Sequence, residues 1–298
     1  MSTKFINWLI LIVLALIWGS SFILMKRGLD VYSSDEVAGL RIFISFLFLS
    51  PLIVRHVKKE LWKHWKSFFA MGTFGNFIPA FLFTKAETGI SSSLAGILNS
   101  LTPLFTLLLG VILFKARTKL INVLGLIIGF MGAVGLMTVG KSIDINNNLL
   151  YGSYIVVATI FYGLSVNIIK NKLGEVNSVT ATVYAMMFIG PMAGIYIFGF
   201  TDFTTRLTSN PIALQSLGYI SLLAIFGTAL SVIIFNVLIK NTNALFASSV
   251  TYLIPIVAMG WGVIDGDKIL PLHFMWIGLI LLGIYFVNKK KATKILSV

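Results

Sequence analysis

Asn99, Thr102 and Thr106 recur at intervals of three and four residues inside an otherwise apolar run, with Ala95 one turn before them. That spacing puts all four on one helical face. Lipid penalises such a face, so it points at protein or water. Pro103 lies in the same stripe and removes a backbone N–H, which frees a carbonyl as an acceptor for a solute's ammonium or hydroxyl. A later run repeats the pattern with Ala247, Thr251 and Pro255 and adds Tyr252. Asn76 and Pro79 form a similar polar pair, matched by Thr228 and Ser231. These side chains bind; they do not catalyse. The same stripes would also serve to bond neighbouring helices, and both readings stand on the sequence.

Trp18 with Ser21, and Tyr162 with Ser165, each put an aromatic ring and a hydroxyl on one helical face. An aromatic wall beside a hydroxyl suits a partly apolar organic solute; close helix packing around Gly19 and Gly163 is the alternative. Lys26 and Lys170 close their apolar runs, where snorkelling is the default for a lysine. Arg41 is the one clear charge inside an apolar run. It is expected to satisfy helix carbonyls or to pair with a loop carboxylate.

Several chemistries are excluded. The sequence has no H-E-x-x-H, no G-x-S-x-G and no Walker A pattern, which removes the common hydrolase and ATP-driven readings. It has no cysteine, hence no disulfide and no thiolate metal site. No catalytic residue, metal ligand or cofactor is assigned. Every Asp and Glu falls at a run end or between runs, and His56, His64 and His273 do the same. A buried carboxylate proton relay is therefore not visible. Facilitated diffusion or exchange fits without one. No basic residue is expected at mid-depth, which argues against phosphate esters and leaves amino acids, small neutral metabolites or hydrophobic cations.

The elements that hold these residues are membrane spans. Of 298 residues, 57% are hydrophobic and 11% charged, against about 25% charged in soluble proteins. A spanning helix needs about 20 mostly apolar residues. Ten runs meet or approach that: Phe5–Met25, Val37–Val54, Phe68–Thr84, Ser92–Phe114, Ile121–Gly140, Leu149–Ile169, Val179–Phe200, Ile212–Leu238, Ala244–Ile264 and Leu272–Val287. The expected class is an all-α membrane protein. Of the joints, one set carries 16 Lys and Arg and the alternate set six. The positive-inside rule then places both termini in the cytoplasm. The net charge of +13 is read as this topology signal, not as a nucleic-acid surface. The basic-aromatic joint Arg55–Lys66, with Trp62 and Trp65, reads as an interfacial belt.

An internal repeat organises the spans. Shifted by 144 residues, Trp18-Gly19, Ser21, Lys26 and Leu29 fall on Tyr162-Gly163, Ser165, Lys170 and Leu173. Shifted by 152, Phe74-Gly75, Phe83, Ala95, Leu101, Pro103 and Gly110 fall on Phe226-Gly227, Phe235, Ala247, Leu253, Pro255 and Gly262. The second and seventh runs do not align clearly. The repeat gives two five-helix units, 5–140 and 149–288, followed by a basic cytoplasmic tail, 289–298. Five spans per unit invert the second against the first, which is the plan of secondary transporters with a site between halves. The first run also has a counterpart deep in the chain and no A-x-A pattern, so it is expected to be retained and not cleaved as a leader.

W-G-S-S-F before Lys26, Arg41 early in the second run, and Ala95–Gly110 with its echo A-S-S-V-T-Y-L-I-P-I-V-A-M-G-W-G resemble the EamA-type drug/metabolite transporters. The resemblance implies ten helices in two inverted halves and a central cavity lined by the first, third and fourth spans of each. It implies export of amino acids, other metabolites or drugs, mostly across bacterial inner membranes. An acidic residue often follows the fourth span of each half in that family. Asp267 keeps it, whereas Lys115 replaces it in the first half. The partners expected are a small-molecule substrate and the lipid bilayer, for a monomer or homodimer. A passive channel or scaffold is the alternative.

Overall fold

Unbroken apolar runs leave the backbone no partner but itself in lipid, and helices satisfy it. The computed structural model describes residues 3–56, 60–90, 92–139, 149–257, 260 and 270–288, and these contain helices and no strands. Gly140, Lys141, Asp144, Lys58, Lys59, Asp265, Asp267, Lys268 and the tail 289–298 lie outside the described residues.

Among the described residues, seven helices are long and apolar enough to cross a membrane, and three shorter apolar helices accompany them. In chain order they are α1 (Thr3–Leu29), α2 (Ser34–His56), α3 (Leu61–Glu87), α4 (Leu94–Phe114), α5 (Leu120–Thr138), α6 (Leu149–Lys172), α7 (Ser178–Phe200), α8 (Ala213–Asn241), α9 (Ala244–Val257) and α10 (Pro271–Asn288). The third helix starts seven residues before the expected Phe68, so the basic-aromatic joint is partly helical. Trp62 and Trp65 are exposed on it.

Local chemistry sets several ends. The Asn177 side chain accepts from Val179 N–H and Thr180 N–H and starts α7; that of Asn243 accepts from Phe246 N–H and starts α9. Each satisfies donors left over in a first helical turn. Lys115 ends α4 in the left-handed region, at φ 52°, a conformation that L side chains rarely take. Between α1 and α2, buried Tyr32 donates to Ala213 O at 3.0 Å. Burial first, and then the Glu36 carboxylate, raise its pKa, so it remains a donor. Glu36 pairs with Arg206 at 3.4 Å, tying the short helix Phe203–Ser209 to the start of α2.

Two peripheral helix pairs form by glycine. On α5, Gly125, Gly129 and Gly132 meet α10: a Cβ on Gly125 would lie 2.8 Å from Gly283 O, and one on Gly132 2.8 Å from Ile280 N. Small residues let membrane helices approach this closely. Asn122 Nδ2 donates to Phe286 O and Val287 O at 3.1 and 2.8 Å, closing the end of α10. On α7, Gly190 and Gly194 receive the rings of Phe46 and Phe43 from α2. Large apolar side chains such as Ile112, Ile195 and Phe198 remain exposed, as a bilayer solvent requires. The other helices surround the centre.

Candidate functional site

A cavity of about 120 Å³ lies among α1, α3, α4, α6, α8 and α9, with one side chain reaching in from α2. Its walls are built on irregular backbone. In α3 the segment Thr73–Phe77 is a turn of π-helix, and in α8 Ile225–Leu230 is another. Such turns cluster at functional sites because they redirect side chains and carbonyls. They fall 152 residues apart and bring Gly75 and Gly227 to the cavity. In α4 the helix breaks between Asn99 and Thr102; in α9 it tightens to 3₁₀ over Ser249–Tyr252. Pro103 and Pro255 cause this, since neither can donate to the carbonyl four residues back.

Measured by the same offsets, most lining residues fall into pairs. Trp18 and Tyr162 both line the cavity, as do Ser21 and Ser165, Gly75 and Gly227, Phe83 and Phe235, and Asn99 and Thr251. Their contacts pair too. The Trp18 ring meets Phe235 at 5.1 Å, and Tyr162 meets Phe83 at 5.8 Å. A Cβ on Gly227 would lie 2.9 Å from Ser21 Oγ, and one on Gly75 2.4 Å from Ser165 Oγ. A Cβ on Gly19 would lie 2.6 Å from Val257 Cβ, and one on Gly163 2.8 Å from Thr106 N. The two readings of the Trp18 and Tyr162 faces therefore coexist. The glycines pack while the rings face the cavity.

Eight of the twelve sequence candidates meet at this cavity: Trp18, Ser21, Asn76, Asn99, Thr102, Tyr162, Ser165 and Thr251. Trp18 Nε1 donates to Gly227 O at 3.0 Å, and Ser21 Oγ to Ile17 O at 2.9 Å. Asn76 is buried against the cavity with no hydrogen-bond partner for its amide among the described residues. Asn99 Oδ1 accepts from Thr102 Oγ1 at 3.3 Å.

The other four stand elsewhere. Tyr252 turns to α5, donating to Leu126 O at 2.9 Å with its ring against Gly129. Pro103 and Pro255 shape the backbone without lining the space. The carbonyls they free are also taken: Asn99 O accepts from Thr102 Oγ1 at 2.8 Å, and Thr251 O from Ser100 Oγ at 3.4 Å. Each of these carbonyls thus already accepts one hydroxyl and keeps a second lone pair. Thr228 is occupied by Arg41, whose Nε donates to Thr228 Oγ1 at 2.6 Å.

Arg41 is the chief residue that the sequence reading misplaced. Its side chain lines the cavity, and no carboxylate pairs with it among the described residues. The two carboxylates at the start of α2 are engaged otherwise: Glu36 with Arg206, and Asp35 as acceptor from Tyr196 Oη at 3.4 Å. A charge inside a span is itself a functional pointer, and that signal was present. Asn236 was also missed. It lines the cavity and donates Nδ2 to Thr182 Oγ1 at 2.9 Å. Thr182 spends its own proton on Ser178 O, which fixes the amide's orientation and leaves Asn236 Oδ1 without a partner among the described residues. Lys170 does not snorkel. Its Nζ donates to Ile239 O, Lys240 O and Thr242 O at 2.9, 3.1 and 2.8 Å, capping α8, while Lys240 Nζ donates to Val176 O. Lys26, its counterpart, is exposed.

A family model for the EamA-like transporter family matches residues 6–138 and 150–289. An uncharacterized transporter of Archaeoglobus fulgidus is 28% identical over 287 residues, covering 96% of this chain and 99% of that one. The uncharacterized inner membrane transporter YedA of Escherichia coli is 23% identical over 290 residues, covering 94% and 90%. A protein named "Probable amino-acid metabolite efflux pump" in Salmonella typhimurium is 23% identical over 284 residues, covering 92% of each chain. A solved crystal structure shares the fold, with a TM-score of 0.72 over 95% of this chain and 96% of that one at 14% identity.

Proposed function

The chain belongs to the EamA-like transporter family, and from that membership and its central cavity we propose that it carries a small organic solute across the cytoplasmic membrane by alternating access. All ten apolar helices then cross the bilayer, in two inverted five-helix halves. Both termini lie in the cytoplasm, on the side that collects most Lys and Arg. The observation that carries the reading is the cavity wall, where residues offset by 144 or 152 positions line one space. Matched halves have two similar packings, one open to each side.

Trp18, Tyr162, Phe83 and Phe235 hold the apolar part of the solute, and Asn76, Asn99, Ser165 and Thr251 hold its polar groups. Amino-acid-sized metabolites fit the volume. The name of the Salmonella relative favours export. No Asp, Glu or His lines the cavity among the described residues, so exchange or facilitated diffusion needs no further part. One chain encloses the whole site, and a monomer suffices.

The test is counterflow in proteoliposomes of the purified protein, loaded with members of a metabolite panel. Saturable accumulation of labelled solute against an unlabelled internal pool is expected. Flux that neither saturates nor shows counterflow would identify a passive channel instead.

A further inference from the structure

The geometry points to Arg41 as the anchor for a carboxylate on the transported solute, with the solute's apolar body between the Trp18–Phe235 and Tyr162–Phe83 walls. This inference deepens the transporter reading and rests on it. Only Nε of the guanidinium is engaged, by the neutral hydroxyl of Thr228. The two Nη groups make no hydrogen bond among the described residues, where the Tyr162 phenol is an electrostatic neighbour of the guanidinium, and no carboxylate lines the cavity. An unpaired charge in a largely apolar cavity carries a desolvation cost. A bound anion relieves it and receives a charge-assisted, bidentate pair of hydrogen bonds.

The anion's size follows from the rest of the lining. Arg41 is the one charged side chain on the cavity wall among the described residues. A monoanion leaves that site neutral; a dianionic phosphate ester leaves a net negative charge with no second cation to offset it. A cationic amine would face the guanidinium with no acid in reach. The class that fits is a small aromatic or aliphatic monocarboxylic acid, and hydrophobic cations are removed from consideration.

The probes are one skeleton with four head groups: 3-phenylpropionate, 3-phenylpropionamide, phenethylamine and phenyl phosphate. Binding to the full-length protein in nanodiscs is measured by titration calorimetry, for the native chain and for Arg41→Gln and Arg41→Lys. The native protein is expected to bind the carboxylate at least about tenfold more tightly than the amide, amine or phosphate, the size of one charge-assisted bond. Arg41→Gln should abolish that preference and Arg41→Lys should restore part of it. Equal binding of acid and amide by the native protein overturns the assignment, as does the absence of binding by either, and neither result depends on a variant folding. Preferential binding of phenyl phosphate overturns the monoanion argument. Counterflow with the same acids separates the two readings. Arg41-dependent acid binding without counterflow leaves the anchor standing and removes transport, and counterflow of a neutral solute unaffected by Arg41→Gln does the reverse.

Discussion

Gly163 offers a sharp test of how closely α6 approaches α4. A Cβ added there would lie 2.8 Å from Thr106 N and 2.9 Å from Phe105 C. Carbon pairs attract at about 3.5–4.0 Å, so the contact is short by at least about 0.6 Å. Both atoms are backbone, and no side-chain rotation relieves them. The helices must separate, at a cost of about 1–3 kcal/mol for overpacking. Alanine gains about 1 kcal/mol over glycine in helix propensity, which offsets part of that cost. Gly199 is the control, because a Cβ there meets nothing within 4 Å and only the propensity gain remains. Thermal unfolding in detergent, read by fluorescence-detected size exclusion, converts each kcal/mol to a shift of about 2–4 °C. Gly163→Ala should lower the midpoint by up to several degrees and Gly199→Ala should raise it by a few. Equal rises in both would refute the close approach of α6 to α4, and with it the placement of Tyr162 and Ser165 at the cavity.

Other perturbations follow from the same contacts. Asn76→Ala and Asn99→Ala should each weaken counterflow of whichever solute is carried. A lost hydrogen bond of about 0.5–1.5 kcal/mol raises KM by roughly two- to tenfold, and unchanged kinetics in both would remove the polar stripe from the site. Lys170→Met strips three carbonyls at the end of α8 of their donor and should cost about 1–3 kcal/mol in thermal unfolding; Lys26→Met, at an exposed position, should leave the midpoint unchanged. Lys115→Gly relieves a left-handed residue at the end of α4 and should add about 1 kcal/mol of stability, whereas Lys115→Val at the same φ should lower the midpoint.

The sequence made the helical class and most of the cavity legible because apolar run length and helical spacing are local properties. Where helix geometry departs from its regular pitch, the reading failed. Tyr252 was assigned to the cavity with Thr251, but Ser249–Tyr252 is 3₁₀. At 3.0 instead of 3.6 residues per turn, four residues accumulate about 80° of extra rotation, and Tyr252 swings onto Gly129 of α5. Long side chains defeat the reading differently, because the depth of the Cα is not the depth of the charge. Arg41 was placed by its Cα near the start of a span, yet its guanidinium lines the cavity. Lys170 was placed at an interface, yet its ammonium turns inward to cap α8. The pairing of α2 with α7 left no trace in the repeat, since Phe43 and Phe46 against Gly194 and Gly190 satisfy only each other's shape.

The matched positions share backbone devices more faithfully than side chains. Both π turns, both proline breaks and both glycine contacts recur at the offsets, whereas Trp18 is replaced by Tyr162, Asn99 by Thr251, and Arg41 has no charged counterpart on the wall among the described residues. Under the proposed function, shared backbone would keep two packings close in free energy, which population exchange between them requires. Unshared side chains would then give a bound solute its orientation. Under the proposed function, the Arg41–Thr228 bond joins α2 of one half to α8 of the other. A carboxylate on the Nη groups shares the guanidinium whose Nε makes this link between the halves. Binding at the anchor would then alter one of the contacts that any change of packing must keep or break, and a solute lacking the acid would leave that contact as it is. Recognition and conformational change would therefore meet at a single side chain, one that touches both the cavity and the seam between the halves.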